Sequence, residues 1–492
     1  MRTIAIVGAL FTLLAGSACL TVSGGGGSLT PGVKGPGATV GGAPRFPFVS
    51  GYELINLPAT WYCVSPWSED PGQERRGMEL FAWRLFIALN WPGRVPYPGG
   101  WTAERELHRL NARGVYPRWN SWYTPEQIYR SLNDDPDDDS PELDDPLGWS
   151  CHGDCLTDSL RRGAGEASEP HRVVYDQNGQ TVLYEVRLDD RWHETLMNAV
   201  EAEASAQPTA NAAYIDFRTG QCKARGPDSG ADTFDFVGTM AIKLAWKRLS
   251  EAESKSGRFL QRLASPRPSG PGAGDGKIRL GLIGFHIMQK SKPYGDWIWS
   301  TFEHVDNLTP AEAPSGPSFN DPRCDASTCR PNTSKQVHVN GSTMCRTQIT
   351  RVDPIPPEVQ KLNAQARDWL KSNDTVLQHY QLIGVQYKPH SGSKPEPATL
   401  RNSVIETYIV GSSAPGGAAS RGPCDIEPEG KRSSCLGCHR AVQEQDFSFV
   451  PTLSLCNCED KEKRWIGDRY CELLGVSSKC GAEEPARRTG GR

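Results

Sequence analysis

Apolar and polar positions alternate in ways that predict two helices in the first third of the chain. Residues 79–91 read ELFAWRLFIALNW and are apolar on nearly every side, which predicts a buried helix ending before Pro92 and Gly93. Residues 124–127 read TPEQ, with an N-cap residue, a proline and an acid in the first turn, and they predict the start of a second helix.

From residue 173 onward the pattern predicts β-structure. Residues 173–186 form two alternating stretches about Asn178-Gly179, a pair that is typical of a hairpin turn. Loops rich in Pro, Gly and Ser, such as residues 265–276 and 311–332, separate further strands. We therefore expect an α+β fold with a large antiparallel sheet as its core and helices at its periphery. The further strands are predicted at 239–249, 278–288, 297–304 and 382–387.

The first residues have the layout of a secretory signal. An apolar run from 4 to 14 is too short to span a membrane and leads through small residues to Cys19. The site resembles a lipoprotein cleavage site, although Gly16 stands where such sites usually have Leu. We expect a signal peptide over 1–18, a Gly- and Pro-rich tether over 19–45, and a lipid on Cys19 that holds the exported protein in the periplasm or on the outer membrane. The alternative is cleavage before an unmodified Cys19.

Composition fits a large exported globular body, predicted at 46–430. The 492 residues carry a net charge of −4, so no basic footprint for nucleic acid is expected. An acidic stretch at 133–146 is interpreted as a solvated loop, with a calcium site as the alternative.

Cysteine is abundant, with 15 residues in the chain. The spacing of Cys151 with Cys155, and of Cys324 with Cys329, predicts small disulfide-closed loops. In the tail at 456–492, four cysteines are consistent with a zinc site or with disulfides, and an oxidising compartment favours disulfides. These four are Cys456, Cys458, Cys471 and Cys480.

One motif near the carboxyl end points to a cofactor. Residues 433–442 read SSCLGCHRAV, so Cys435, Cys438 and His439 have the C-x-x-C-H spacing of haem c attachment. This composition would produce that pattern by chance in about one chain in a hundred. Two thiols at this spacing bind the haem vinyl groups, and the adjacent imidazole binds the iron. A disulfide or a zinc knuckle is the alternative interpretation of this attachment segment, predicted at 431–455.

The sixth iron ligand cannot come from the tail, because residues 440–492 contain neither Met nor His. It must come from the body, or the position is open. We therefore expect the haem segment to pack on the body. His286 in an apolar strand and His304 in the segment TFEHVDN are the candidate distal histidines, although a lone histidine in an apolar strand is more often a hydrogen-bonded core residue than a ligand. The candidate methionines are Met240, Met288 and Met344.

Acids adjoin one of these histidines. Glu303, His304, Asp306 and Asn307 could move protons at an open iron, or they could hold a buried turn together.

Several segments resemble a group of bacterial exported proteins described as cytochrome c family proteins. The resemblance covers most of residues 50–450 and implies haem attachment at Cys435, Cys438 and His439. It implies no substrate, and the many extra cysteines depart from the pattern of the group. The segments are FAWRLFIALNWP (81–92), WNSW (119–122), YDQNGQTVLYEV (175–186), MAIKLAWKRL (240–249), LGLIGFHIMQK (280–290), DWIWSTFEHVDN (296–307), NSVIETY (402–408), SCLGCHRAV (434–442) and DFSF (446–449).

The leading hypothesis is a monohaem c-type cytochrome that passes electrons between a redox partner protein, or a small-molecule donor or acceptor, and its own haem c. One alternative is a haem-dependent oxidoreductase or peroxidase with an open iron. Another is a binding module in which the haem is structural.

Overall fold

The computed structural model describes most of the predicted body. All described residues belong to the unit Phe48–Arg492. The predicted signal peptide, the tether with Cys19, the second helix beyond Thr124, the acidic loop, Cys151, Cys155, Cys438 and the Cys-rich tail lie outside them. Within the described part, no helix combines the length and apolarity needed to cross a membrane. The described residues are 71–94, 102–103, 107–124, 161–162, 173–195, 238–264, 278–291, 294, 297–309, 316–324, 329–339, 341–389, 394, 396–410, 435 and 439.

The described elements mix helices and strands along the chain. Short 3-10 helices lie between them. In chain order the elements are α1 (Pro71–Leu89), β1 (Pro92–Arg94), β2 (Thr102–Ala103), β3 (Tyr116–Pro117), β4 (Arg161–Arg162), β5 (Leu183–Leu188), β6 (Met240–Arg248), α2 (Glu251–Lys255), β7 (Gln261–Ala264), β8 (Ile278–Lys290), β9 (Trp297–His304), β10 (Thr333–Val339), β11 (Ser342–Gln348), α3 (Pro357–Ser372) and β12 (Tyr380–Gln386).

A seven-stranded antiparallel sheet forms the core and confirms the predicted α+β class. Its strand order is β12-β9-β8-β6-β5-β4. The seventh strand, β7, pairs with the first residues of β8. The four predicted strands beyond the hairpin correspond to β6, β8, β9 and β12. Strands β1 to β3 form a small separate sheet, and β10 and β11 form a hairpin that the sequence did not predict.

Aromatic side chains attach α1 to one face of the large sheet, which we call the helix face. Phe86 stacks on Phe302 of β9 at 4.2 Å between ring centroids and meets Phe285 of β8 edge-on at 5.3 Å. Trp83 meets Phe302 edge-on at 5.1 Å. The predicted buried helix is therefore confirmed, and it begins earlier, at Pro71, which suits the first helical turn.

The structure also contains a helix that the sequence did not predict, α3, and its Asn363 closes the outer edge of β12. The backbone N–H of Leu382 donates to Asn363 Oδ1 (3.0 Å), and Asn363 Nδ2 donates to the Leu382 carbonyl (2.8 Å). Trp83 Nε1 of α1 donates to the same Oδ1 (3.0 Å). One buried amide thus takes the place of a neighbouring strand residue and protects the sheet edge.

Replacing Asn363 with Ala is expected to lower the free energy of unfolding by about 1–3 kcal/mol, because it leaves buried backbone and indole groups without partners. Urea denaturation measures this. Asp368→Ala, at an exposed position of the same helix, is the control and should change stability by less than about 0.5 kcal/mol. Equal losses in both variants would contradict the role given to Asn363.

The predicted hairpin about Asn178-Gly179 is only partly present. Gly179 does adopt a positive φ of 77°. However, the first arm makes only an isolated bridge, Tyr175 to Thr181. The two arms are joined on either side of this bridge, because Asp176 N–H donates to the Gln180 carbonyl (2.9 Å) and Val182 N–H donates to the Val174 carbonyl (2.9 Å). On its other edge the first arm contacts β11, where Tyr175 N–H donates to Thr347 Oγ1 (2.9 Å) and Thr347 N–H donates to the Tyr175 carbonyl (3.2 Å). The second arm continues as β5 and pairs with β6.

The second face of the large sheet, which we call the tryptophan face, carries Trp297, Trp299 and Thr301 of β9. Residues 400–409 cover part of it. Asn402 Nδ2 donates to Thr301 Oγ1 (2.8 Å), and Tyr184 of β5 donates its hydroxyl to the Val404 carbonyl (2.8 Å). The sheet of the body therefore has helices on one face and residues 400–409 on the other.

Candidate functional site

Two of the three residues of the C-x-x-C-H motif are described, and both contact the body. Cys435 and His439 each have helical backbone geometry, and they are four residues apart in the chain. Cys435 Sγ donates to the Leu400 carbonyl at 3.7 Å. The His439 ring lies 4.3 Å from the Trp299 ring, centroid to centroid, with 49° between their planes.

The indole ring of Trp299 gives His439 an apolar contact, and this ring carries one polar atom, Nε1. Its side chain is 4% exposed, and its indole Nε1 has no hydrogen-bond acceptor among the described residues. A buried donor without an acceptor is costly, so such an atom points to a group that completes it. A haem has a flat apolar ring system and carboxylate propionates. The residues present therefore fit a haem.

Met288 of β8 is the direct neighbour of Trp299 across the sheet. The two are paired in the β8–β9 ladder, so their side chains share the tryptophan face. On the other side of Trp299, Gln386 of β12 is its partner, and its amide donates to the Pro397 carbonyl (2.7 Å). Met288 is buried, with 8% of its surface exposed.

His286 lies on the tryptophan face two residues before Met288. It pairs with Thr301 of β9 and with Lys243 of β6. Its Nε2 lies 3.3 Å from Glu406 Oε1. The structure thus places this predicted ligand near the site, with Nε2 facing a carboxylate.

His304 lies at the far end of β9, about 17 Å along the strand from Trp299 at the usual rise per residue. Its ring stacks on Phe259 at 4.1 Å. Its Nε2 is 3.1 Å from the Arg258 carbonyl, and its Nδ1 accepts from the Asp306 N–H at 3.1 Å. Burial lowers the pKa of His304 to about 3, so the ring is neutral. With both nitrogens engaged, this residue does not fit the predicted role of iron ligand.

The acids around His304 are also held in fixed contacts. Glu303 accepts from both terminal nitrogens of Arg351 (2.6 and 3.2 Å), and Asp306 accepts from Arg258 in the same bidentate manner. Burial raises the pKa of Asp306, but the Arg258 hydrogen bonds outweigh it and the net pKa lies below its usual value. Asn307 Nδ2 donates to the Ile283 carbonyl (2.8 Å). These contacts favour a structural interpretation of the cluster.

One of the two predicted disulfide-closed loops lies among the described residues, and its disulfide is confirmed. Cys324 and Cys329 are bonded, as their spacing predicts. Cys345 is also in a disulfide. Among the described residues, no group of three or more His, Cys, Asp or Glu side chains converges as a metal site.

No protein-family model, curated protein or solved structure matches the chain.

Proposed function

We propose that the chain is an exported monohaem c-type cytochrome of the bacterial cell envelope, anchored through a lipid on Cys19, that transfers electrons. The observation that carries the proposal is the C-x-x-C-H motif at 435–439, whose His439 lies against the buried indole of Trp299. The donor and acceptor are a redox partner protein or a small molecule.

Each residue of the site has a defined task in this proposal. Cys435 and Cys438 form the thioether bonds, and His439 is the proximal iron ligand. Trp299 excludes water from the side of the sheet and donates its N–H to an acceptor on the cofactor. When bound, haem c supplies a one-electron couple, and the chain around it sets the potential.

The state of the acid cluster favours electron transfer over proton-dependent chemistry. An enzyme that reduces peroxide at an open iron uses a mobile acid or base within reach of the substrate. Here His304 is neutral and has both nitrogens engaged, while Glu303 and Asp306 are each bound by an arginine. These groups are arranged to hold a turn.

Covalent haem is the decisive test. The full chain, produced in a periplasm with cytochrome c maturation, is expected to keep one haem per chain after denaturation, and a double variant Cys435→Ser, Cys438→Ser is expected to lose it. The measurement is the pyridine haemochrome spectrum and the intact mass of the denatured chain.

The matched control is the double variant Cys324→Ser, Cys329→Ser, which removes the same number of thiols at a disulfide elsewhere. This control should keep the full covalent haem content. A mature wild-type chain without haem, with Cys435 and Cys438 bonded to each other, would overturn the proposed function.

A further inference from the structure

We propose that the thioether of Met288 is the sixth ligand of the haem iron, opposite His439. This inference depends on the proposed function and names the residue that completes its site. It assigns the ligand to a strand of the body, about 150 residues before the motif. The candidate ligands differ in their position relative to Trp299, the residue that His439 contacts.

Among the candidates, Met288 is the one that the strand register pairs directly with Trp299, the residue that His439 contacts. Met288 is paired with Trp299 between adjacent antiparallel strands, and side chains of such pairs lie about 4.5–5.5 Å apart at Cβ on one face. The His439 ring in turn lies 4.3 Å from the Trp299 ring. Met288 and His439 are therefore both direct neighbours of the same indole.

The other methionines lie elsewhere. Met240 is paired with Gln289, the residue after Met288, so it belongs to the opposite face of the sheet. Met344 lies on the separate β10–β11 hairpin and packs near the turn at Gly179, where an added Cβ would come within 3.1 Å of Met344 Cβ. Neither side chain approaches Trp299 in the sheet register.

The two histidines fit less well than Met288. His304 uses both ring nitrogens for backbone contacts at the far end of β9. His286 shares the tryptophan face, but its Nε2, the nitrogen more accessible to a large cofactor, faces Glu406 Oε1 at 3.3 Å. The Nδ1 atom adjoins the ring carbon that bears Cβ, which hinders approach to the face of a porphyrin.

The chemistry of a buried thioether suits this position. A thioether carries no charge and no ionisable proton, so burying it beside Trp299 requires no partner ion. Methionine opposite histidine raises the potential of haem c and leaves no open position for small ligands. Met288 would therefore direct the site toward electron transfer.

Spectroscopy of the haem-loaded full chain tests the assignment. We expect the oxidised wild type to be low-spin with the near-infrared band of methionine–iron ligation, and the reduced wild type to bind no carbon monoxide. Met288→Leu, which nearly conserves volume, is expected to lose that band, bind carbon monoxide fully when reduced, and have a lower potential. Met240→Leu and Met344→Leu are the matched controls and should keep all three properties.

A second measurement does not depend on any variant folding. In the proton NMR spectrum of the reduced wild type, the methyl group of a ligating methionine is shifted strongly upfield by the porphyrin ring current. We expect one such signal. Its absence from a haem-loaded wild type would overturn the assignment of Met288.

Other outcomes separate the two proposals. If Met288→Leu keeps the wild-type spectrum while His286→Gln loses its low-spin state, His286 is the ligand and the Met288 assignment is wrong. If either methionine control loses the band, the assignment is also wrong. A mature chain with no covalent haem contradicts the proposed function itself.

Discussion

Replacing Lys247 with Met is expected to lower the free energy of unfolding by about 3–5 kcal/mol at pH 7, the usual effect of removing one member of a buried ion cluster. The Lys247 side chain is 1% exposed. Its ammonium lies 2.6 Å from Glu253, 3.6 Å from Asp176 and 3.0 Å from the hydroxyl of Ser318. Methionine fills similar space but leaves two buried carboxylates without a cation.

The loss should depend on pH. In the wild type, burial raises the pKa of Asp176 despite Lys247. Burial also raises that of Glu253, but Lys247 and Ser250 outweigh it, so its net pKa is lowered. Without Lys247 both folded-state pKa values rise, so at a given pH the folded variant binds more protons than the folded wild type. The variant then gains stability relative to the wild type as the pH falls from 7 toward the unfolded carboxyl pKa near about 4.

Urea denaturation at pH 7 and pH 5 measures both effects, and Lys255→Met is the matched control. Lys255 pairs with Glu251 on the surface of α2, with side chains 75% and 82% exposed. Its replacement should cost no more than about 0.5 kcal/mol at either pH. A loss in Lys247→Met that stays constant from pH 7 to pH 5 would contradict the assignment of the cost to unpaired carboxylates.

Sequence predicts the large sheet well because its central strands are apolar on both faces. Strands β6, β8 and β9 are each covered by helices or by residues 400–409, so nearly every position is buried and reads as a continuous apolar run. Helix α3 is different: the buried positions on it include Asn363, whose partners are on β12 and α1. A polar residue in the buried stripe weakens the helical pattern, and its partners depend on the tertiary fold.

For the candidate site as well, some residues can be predicted from local sequence, whereas others depend on the tertiary fold. Spacing alone predicts a haem attachment site at Cys435, Cys438 and His439, since this chemistry requires residues adjacent in the chain. The environment of His304 could not be read from its neighbours in sequence, because Arg258 and Phe259 reach it from the segment before β7. Met288 and Trp299 likewise become neighbours only through the register of β8 and β9, which the alternation of each strand does not determine.

Replacing Glu303 with Gln is expected to cost about 2–4 kcal/mol, and to loosen the segment 400–409 in particular. The Glu303 side chain is fully buried and binds Arg351, which keeps 19% of its side chain exposed. It also accepts from the Ser403 N–H at 2.6 Å, which ties that segment to β9. Glutamine has the same shape, but it removes the charge and turns an N–H group toward one of these donors.

Urea denaturation and amide hydrogen exchange test this expectation. Exchange at Ser403 should accelerate more than exchange in the centre of β8, because the lost contact holds the segment and not the sheet. Glu396→Gln repeats the substitution at an ion pair with Arg75 in which both side chains are 49% exposed, and it should cost no more than about 0.5 kcal/mol. Equal protection of Ser403 in the wild type and in Glu303→Gln would show that this carboxylate does not hold the segment. Because the Leu400 carbonyl of the same segment accepts from Cys435 Sγ, the anchoring of residues 400–409 to β9 also affects the position of Cys435.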